Sequence, residues 1–411
     1  MPTIGPGAGW MVELDLASVI GGIDSHADTI HVAAIDVVGR NLDDAEFPTT
    51  PAGYAAALAF LGSFGAIAVI GIEGTSSYGA GIARAAQAAG HAVREVTRPD
   101  RSERRRVGKS DPIDAYAAAR AVLAGRADAA VKDETIEAIR TLNNVRSSAV
   151  KATTAAMNQI HSLLITAPAV VREKYRGLKG DKLVDALAGC RPDTVIDATA
   201  RVVLSGLRML AKRHQYLTAQ TEDLEQQLRD LVATVNPTLI SARGVGPITA
   251  AQLLITAGAN PDRLRTEASF AALCGVAPVQ ASSGKTRRHR LSRGGDRAAN
   301  CALHTIALSR LQHDPRTREW ADRQRARGKQ GLELLRILKR AIAREVRHHL
   351  LDPHVVPPAT DLRPLREAKK ISLKAAVEAV GTNQIHISRI ERGITHDAAF
   401  AQRYRNWLNS A

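Results

Sequence analysis

Residues 19–24 read Val-Ile-Gly-Gly-Ile-Asp, and residues 66–73 read Ala-Ile-Ala-Val-Ile-Gly-Ile-Glu. Each is a short apolar run without polar alternation, the pattern of a strand buried on both faces of a sheet, and each ends on a carboxylate. Between them, His31 to Val38 (HVAAIDVV) predicts a second strand, Gly39-Arg40-Asn41 a turn, and Thr50 to Phe64 a helix. Beyond Glu73, Ser77 to Gly90 reads as a helix of small residues and His91 to Thr97 as a short strand; residues 1–17 are a lead-in. Apolar strands alternating with helices predict an α/β fold with the sheet covered on both faces.

The chain has 411 residues, 45% of them hydrophobic, which is enough for two or three domains with real cores. Its net charge is +15 and its pI near 10.1, so a polyanionic partner is expected. The charge is concentrated: residues 282–350 carry 18 Lys and Arg against 6 Asp and Glu, as a phosphate-binding face would. Aromatic residues are only 3%, which argues against base stacking as the main mode of nucleic-acid binding. Cys190, Cys274 and Cys301 lie far apart, without metal-ligand spacing or a disulfide framework, and fit a reducing cytoplasm. No apolar run is long enough to span a bilayer, and no signal pattern opens the chain.

After the α/β region comes a basic connector, residues 98–109, with Arg104, Arg105, Arg106 and Lys109. It leads into Asp111-Pro112-Ile113-Asp114 and an alanine-rich helix; Pro112 suits a first helical turn, and acids three apart can share one face. Helix capping by Asp111 and a dipole partnership for Asp114 would explain the same pair. Glu134 to about Pro168 reads as helical. Ala200 to Val235 reads as a longer helix with Leu210, Leu217, Leu224 and Leu231 seven apart and His214, Thr221 and Leu228 at the other core position. That is a short, imperfect coiled coil, serving self-association or packing on its own domain. Gly244-Val245-Gly246 sits between two helical stretches and offers backbone N–H groups to a phosphate, the logic of a helix-hairpin-helix.

Leu273 to Gly295 (LCGVAPVQASSGKTRRHRLSRGG) sets Ser282 and Ser283 beside Gly284, followed by Lys285, Arg287, Arg288, Arg290 and Arg293. A hydroxyl next to glycine can approach a phosphodiester closely, and guanidinium groups bind phosphate bidentately. Alone, the stretch reads first as a solvated basic loop; the rest of the chain changes that weighting. Asp296 to Leu350 is helical and basic, and a proline-rich linker follows with Pro353, Pro357, Pro358 and Pro364. Ser372 to Gly393 then resembles a helix-turn-helix of the phage-repressor type, broken at Gly381, with Gln384, His386 and Arg389 on the polar face of its second helix.

Asp24 and Glu73 at strand ends, with Asp111 and Asp114 opening a helix, are the parts from which an RNase H-like fold builds a two-metal site. With these motifs in order, the chain resembles the DEDD transposases of insertion sequences, the Piv-like group described as bridge-RNA-guided recombinases. The resemblance is carried by Ile23-Asp24, by Glu73 with Gly74-Thr75 and Tyr78, and by Lys109-Ser110-Asp111-x-x-Asp114-Ala115. Further on it is carried by Gly244-Val245-Gly246, Phe270-x-x-Leu273-x-Gly275-x-x-Pro278, Ser283-Gly284 and the basic turn at Gly295. It covers residues 18–350.

The resemblance implies a RuvC-like catalytic domain over 18–130, in which Asp24, Glu73, Asp111 and Asp114 hold one or two Mg²⁺ ions, with Mn²⁺ as a substitute. A helical, coiled-coil assembly segment would span 131–236, and a helical transposase domain with helix-hairpin-helix and serine loop 237–351. The linker, 352–364, and a helix-turn-helix domain, 365–411, depart from the compact family members. Ser283, directly before glycine, would be the nucleophile that forms a covalent phosphoserine with DNA, rather than Ser282. Partners would be double-stranded DNA at the element ends, junction and target, a structured noncoding guide RNA, and further copies of the chain in a dimer or tetramer. The implied location is the bacterial cytoplasm, at the nucleoid. Two other readings stay open: a RuvC-like structure-specific nuclease with water as nucleophile, and a non-catalytic DNA-binding regulator.

Overall fold

The computed structural model describes residue 15 and residues 17–75, 77–96, 111–127, 129–130, 133–258, 264–280, 289–292, 294–354, 359–393 and 397–411. Two compact units emerge, residues 1–134 with 258–260, and residues 135–257 with 261–411.

In the first unit the elements run β1 (Ser18–Ser25), β2 (Thr29–Asp36), β3 (Asn41–Pro48), α1 (Pro51–Gly62), β4 (Ala66–Glu73), α2 (Ala80–Ala88), β5 (Val93–Val96), α3 (Asp111–Leu123) and β6 (Ala129–Ala130). The sheet order is β3-β2-β1-β4-β5-β6. β1 pairs antiparallel with β2 and parallel with β4, β4 continues parallel to β5, and β3 and β6 are antiparallel edges. β3 has no counterpart among the strands expected from sequence. Its NLDDAEFP pattern carries three acids and is mostly exposed, as an edge strand that discourages pairing with another chain should be.

Side chains alternate between two cores. Val19, Ile23, Ile70 and Ile72 pack beneath α1 and α2, with Leu61 and Ile82. Ile20, Val69 and Val96 pack against the alanine face of α3. This side-chain period of two fixes the site, because Ile20, Gly22 and Asp24 share the α3 face, as do Val69, Gly71 and Glu73. The two glycines let α3 come close. A Cβ on Gly22 would lie 2.0 Å from the Ala115 carbonyl oxygen, and one on Gly71 would lie 2.5 Å from Val122 Cγ2.

The second unit is almost all helical. Its elements are α4 (Glu134–Thr166), α5 (Ala169–Tyr175), α6 (Gly180–Ala188), α7 (Ala198–Val235), α8 (Pro237–Ser241), α9 (Pro247–Ala257), α10 (Glu267–Leu273), a hairpin of β7 (Pro278–Gln280) and β8 (His289–Leu291), then α11 (Arg297–His313), α12 (Pro315–Ala326), α13 (Gly331–Leu351), α14 (Leu362–Ala368), α15 (Leu373–Val380), α16 (Gln384–Glu391) and α17 (Ala398–Ser410).

α7 follows the expected leucine seam only in part. Leu224 and Leu228 are buried and Leu210 and Leu231 pack half-buried on the flanking cores, but in the first half of the helix the buried stripe is Ala200, Leu204, Leu207 and Ala211. Its N-terminal half packs on α5, α6 and Ile160 of α4, and its C-terminal half joins the core around α9 and α11. Between those ends a cavity of about 500 Å³ separates Thr153 and Met157 of α4 from His214, Thr218 and Thr221 of α7. On its outer side Val202, Met209 and Tyr216, seven apart, are 71%, 70% and 68% exposed.

The sequence placed the end of the linker at Pro364, but α14 begins at Leu362, so Pro364 lies in a first helical turn, where its missing N–H costs nothing. α14 to α17 share a core of their own, built on Leu362, Ile387, Ile390, Phe400, Tyr404 and Leu408. At its centre Arg366 donates to both carboxylate oxygens of the buried Glu391, at 2.7 and 3.0 Å, and Tyr404 donates to the same group at 2.8 Å.

Candidate functional site: an acidic cluster at the ends of adjacent strands

β1 and β4 run parallel and in register, Ile23 beside Ile72, so their terminal acids emerge side by side on the α3 face. Ser25 ties the strand ends together by donating from Oγ to the Glu73 carbonyl at 2.9 Å. α3 starts at Asp111, which puts Asp111 and Asp114 in its first turn, where the helix dipole favours negative charge. Because Gly22 brings α3 onto β1, this turn meets Asp24.

The tight group consists of Asp24, His26 and Asp111, whose ligating atoms lie within 4.8 Å of one another. His26 Nε2 is 3.2 Å from Asp24 Oδ2 and 3.3 Å from Asp111 Oδ1. Despite that closeness, this buried nitrogen has no hydrogen-bond partner among the described residues. Asp24 is 7% exposed and Asp114 2%. Burial raises the Asp24 pKa above its ordinary value; His26 opposes this, and the charges of Asp114 and Asp111 add to it. A divalent ion among such acids would relieve both the repulsion and the cost of burial. Asp114 and Glu73 stand outside the tight group, though Asp114 acts on Asp24 electrostatically. His26 was missed in the sequence. Its only signal was its position two residues beyond Asp24, and a lone histidine after a strand carries no pattern.

In the second unit, β7 and β8 pair from Pro278 with Leu291 to Gln280 with His289. Ser282, Ser283, Lys285, Arg287 and Arg288 belong to the segment between these strands and lie outside the described residues, as do Arg293 and the connector residues Arg104, Arg105, Arg106 and Lys109. Arg290 is described and exposed. The hairpin base is fixed to α11 by Asn300, whose side-chain amide donates to the Cys274 and Gly275 carbonyls at 3.1 and 2.9 Å.

Gly244 and Gly246 form the turn between α8 and α9, with Gly244 at φ 75°. Arg310 braces that turn from beneath: Nε donates to the Arg243 carbonyl at 2.6 Å while both terminal nitrogens hold Glu345 at 2.7 Å. Arg243 itself pairs with Asp314 at 3.2 Å and with Asp397 of the C-terminal helices at 3.1 Å. α15 and α16 are joined through Gly381 in the left-handed conformation, φ 66°. Gln384 and Arg389 are exposed, but His386 departs from expectation. Its ring packs edge-on against Phe400 at 4.7 Å, with Nε2 4.0 Å from Asp397, so it turns inward rather than towards solvent. Burial, and then the Arg243 charge, lower its pKa. Ile385, 71% exposed, takes the outward position beside Gln384.

A mixed sheet whose adjacent parallel strands end in acids, closed on that face by a helix that opens with two more, is consistent with the RNase H-like class of nucleic-acid-processing domains. Comparison with known proteins narrows the class. Residues 21–167 match the family model DEDD_Tnp_IS110, described as "Transposase", and residues 236–321 match one described as "Transposase IS116/IS110/IS902 family". The chain belongs to the IS110 family of insertion-sequence transposases. Among curated proteins it is similar to an "Insertion element IS110 uncharacterized 43.6 kDa protein" of Streptomyces coelicolor, 38% identical over 128 residues, which are 30% of this chain and 31% of that relative. It is also similar to a "Probable family 20 transposase" of Pseudomonas aeruginosa, 29% identical over 170 residues, 40% of this chain and 48% of that relative. The matched segments thus span less than half of either relative. Among the described residues no helix is long and apolar enough to cross a membrane.

Proposed function

We propose that the chain excises and integrates an insertion sequence by DNA strand exchange. Asp24, Glu73, Asp111 and Asp114 would hold the divalent ion, and Ser283 would be the nucleophile. The observation that carries this reading is the convergence of Asp24, Asp111 and His26 at the end of β1, in a domain of the DEDD type. The donor set fits a divalent cation: carboxylate oxygens suit Mg²⁺ or Mn²⁺, and His26 Nε2, lying between two of them without a hydrogen bond, offers a further ligand. A bound ion would polarise the phosphodiester and neutralise charge that builds on it during displacement.

The chain's own groups would do the rest. Ser283 Oγ attacks phosphorus and gives up its proton, the phosphorus–oxygen bond to one deoxyribose breaks, and the departing sugar oxygen takes up a proton to leave as a free hydroxyl. The phosphoserine conserves the ester for rejoining, so strand exchange needs no nucleotide hydrolysis. The arginines of the same segment, Arg287, Arg288, Arg290 and Arg293, offset the charge of the pentacovalent phosphate. The basic connector Arg104–Lys109, the turn at Gly244 and Gly246, and Gln384 with Arg389 would contact DNA elsewhere. A structured noncoding RNA of the element would pair with donor and target DNA, consistent with the net charge of +15. The outward stripe of Val202, Met209 and Tyr216 supports assembly of two or more copies through α7.

The test is a denaturing gel of protein incubated with element-junction DNA and Mg²⁺ or Mn²⁺. Wild type should give a protease-sensitive protein–DNA adduct, absent in Ser283→Ala and Asp24→Asn and mapping to Ser283 by mass spectrometry. His26 favours one competing reading, since an imidazole between two carboxylates could take a proton from water. Metal-dependent cleavage without any adduct would establish that hydrolytic nuclease instead.

A further inference from the structure

The second unit contains a cleft of about 720 Å³, within the size range of specific ligand sites. One wall is α13, which contributes Glu333, Arg336, Lys339 and Arg340; the other is formed by Val276 to Pro278 and by the first two residues of β8. Five lysines and arginines line it (Arg290, Lys329, Arg336, Lys339 and Arg340) against the single acid Glu333. Lys329 and Glu333 cancel each other, with Nζ 2.6 Å from the carboxylate. Four cations therefore remain uncompensated by the cleft's own acid.

Lys339 is the unusual member. It is 6% exposed, yet lysines are almost never buried without an anionic partner. Its Nζ donates to the side-chain oxygen of Asn300 at 2.8 Å, a neutral acceptor, and an ammonium carries three N–H donors. Burial lowers its pKa; Cys301 pulls against this, and the Arg336 charge adds a smaller downward push. An anion in the cleft would offset the cost of the buried charge and screen it from Arg336. The same Asn300 holds the Cys274 and Gly275 carbonyls at the base of the β7–β8 hairpin, so the ammonium is positioned by the residue that fixes that hairpin. Arg340 is likewise pre-positioned, donating to the Glu267 carbonyl at 2.9 Å.

We propose that this cleft is a phosphodiester-binding site for the DNA strand that enters the serine hairpin, with Lys339 as its buried cation and Arg336 as the partner nearer solvent. The inference rests on the reading of the chain as a DNA-processing enzyme. It narrows the basic region 282–350 to one helix, α13, and to one buried lysine on it. The bond made is an ion pair with hydrogen bonds, so what it predicts is an electrolyte effect. Each phosphate contact made by a cation contributes about 0.9 to the slope of log affinity against log salt on duplex DNA.

The experiment uses the full-length protein and a fluorescein-labelled duplex carrying the element's own end, with dissociation constants measured by anisotropy across a salt series. Lys339→Met keeps the side-chain volume and removes the charge; Arg336→Gln alters a half-buried side chain and decides the matter if Lys339→Met does not fold. Either variant should lower the salt slope by about one contact and weaken binding severalfold at moderate salt, with an unchanged circular-dichroism melt. A purely structural lysine would change the melt and leave the slope alone. Folded variants with wild-type slope and affinity would overturn the cleft while leaving metal dependence and the serine adduct intact. Wild-type protein that neither binds the duplex nor forms the adduct would overturn the enzymatic reading, and the cleft with it.

Discussion

Gly22 holds the acidic site together through a distance rather than a bond, and Gly22→Ala measures that. The added methyl would stand 2.0 Å from the Ala115 carbonyl oxygen, 2.5 Å from the Ala119 nitrogen and 2.8 Å from the Ala119 Cβ. The first two are backbone atoms of α3, so no side-chain rotation removes the clash. To restore an ordinary contact of 3.4 Å, helix and strand must separate by about 1.4 Å. Overpacking of this kind costs about 1–3 kcal/mol, and a backbone clash belongs at the upper end. The chemical effect should exceed the thermodynamic one. Metal sites tolerate about 0.2 Å in ligand distance, whereas the shift carries Asp111 and Asp114 away from Asp24 by several times that.

Gly21 supplies the control. A methyl there points to the other face and meets Leu61 Cδ1 at 2.7 Å, the far end of a side chain that can rotate. Gly22→Ala should therefore lose tight Mn²⁺ binding, read by electron paramagnetic resonance or calorimetry, and all strand exchange. Gly21→Ala should melt a few degrees lower and keep both. If Gly22→Ala binds Mn²⁺ within about twofold of wild type, close approach of α3 is not what assembles the site.

Three further outcomes follow from other contacts. Burial works against Glu345, but the bidentate Arg310 and His349 bring its pKa down to about 2 from 4.5. A depressed carboxylate contributes stability that is present above pH 4.5 and lost as pH falls towards 2. The full shift is worth a ceiling of about 3 kcal/mol, roughly halved for a side chain 39% exposed. Glu345→Gln should thus melt lower than wild type at pH 7 and converge with it near pH 2; a constant gap across that range would refute the assignment. Asp397→Ala removes both the helix cap on Phe400 N–H and the ion pair with Arg243, and should make the chain between α13 and α14 more sensitive to limited proteolysis, with Asp397→Asn intermediate. His26→Ala should weaken Mn²⁺ binding about tenfold or more while leaving the melt within a degree, as expected of a residue that tunes a metal site rather than one that supports the fold; a large drop in melting temperature with unchanged affinity would assign it to structure.

The legible parts of this chain were those in which one physical constraint acts on several consecutive residues. VIGGID and AIAVIGIE showed buried strands because both faces of each strand are covered, and their terminal acids could be picked out because strand ends are where a sheet exposes side chains together. β3 was illegible for the opposite reason: an edge strand is specified by its neighbour, and its acids read as loop. The α7 seam holds at Leu224 and Leu228 but is displaced in the first half, where α5 and α6 draw the helix onto Leu204, Leu207 and Ala211, a choice that depends on elements elsewhere in the chain. His386 was assigned to the reading face by helical periodicity, but Phe400 and Asp397 arrive from α17 to cover it. The same limit explains His26 and Lys339. Each is one residue whose meaning depends on a partner far along the chain: Asp111 across 85 positions for His26, and Asn300 across 39 for Lys339. The excess of basic residues over 282–350 marks the region in sequence, but composition does not say which of them is buried on a neutral acceptor beside a cleft; only the folded chain singles out Lys339 on α13.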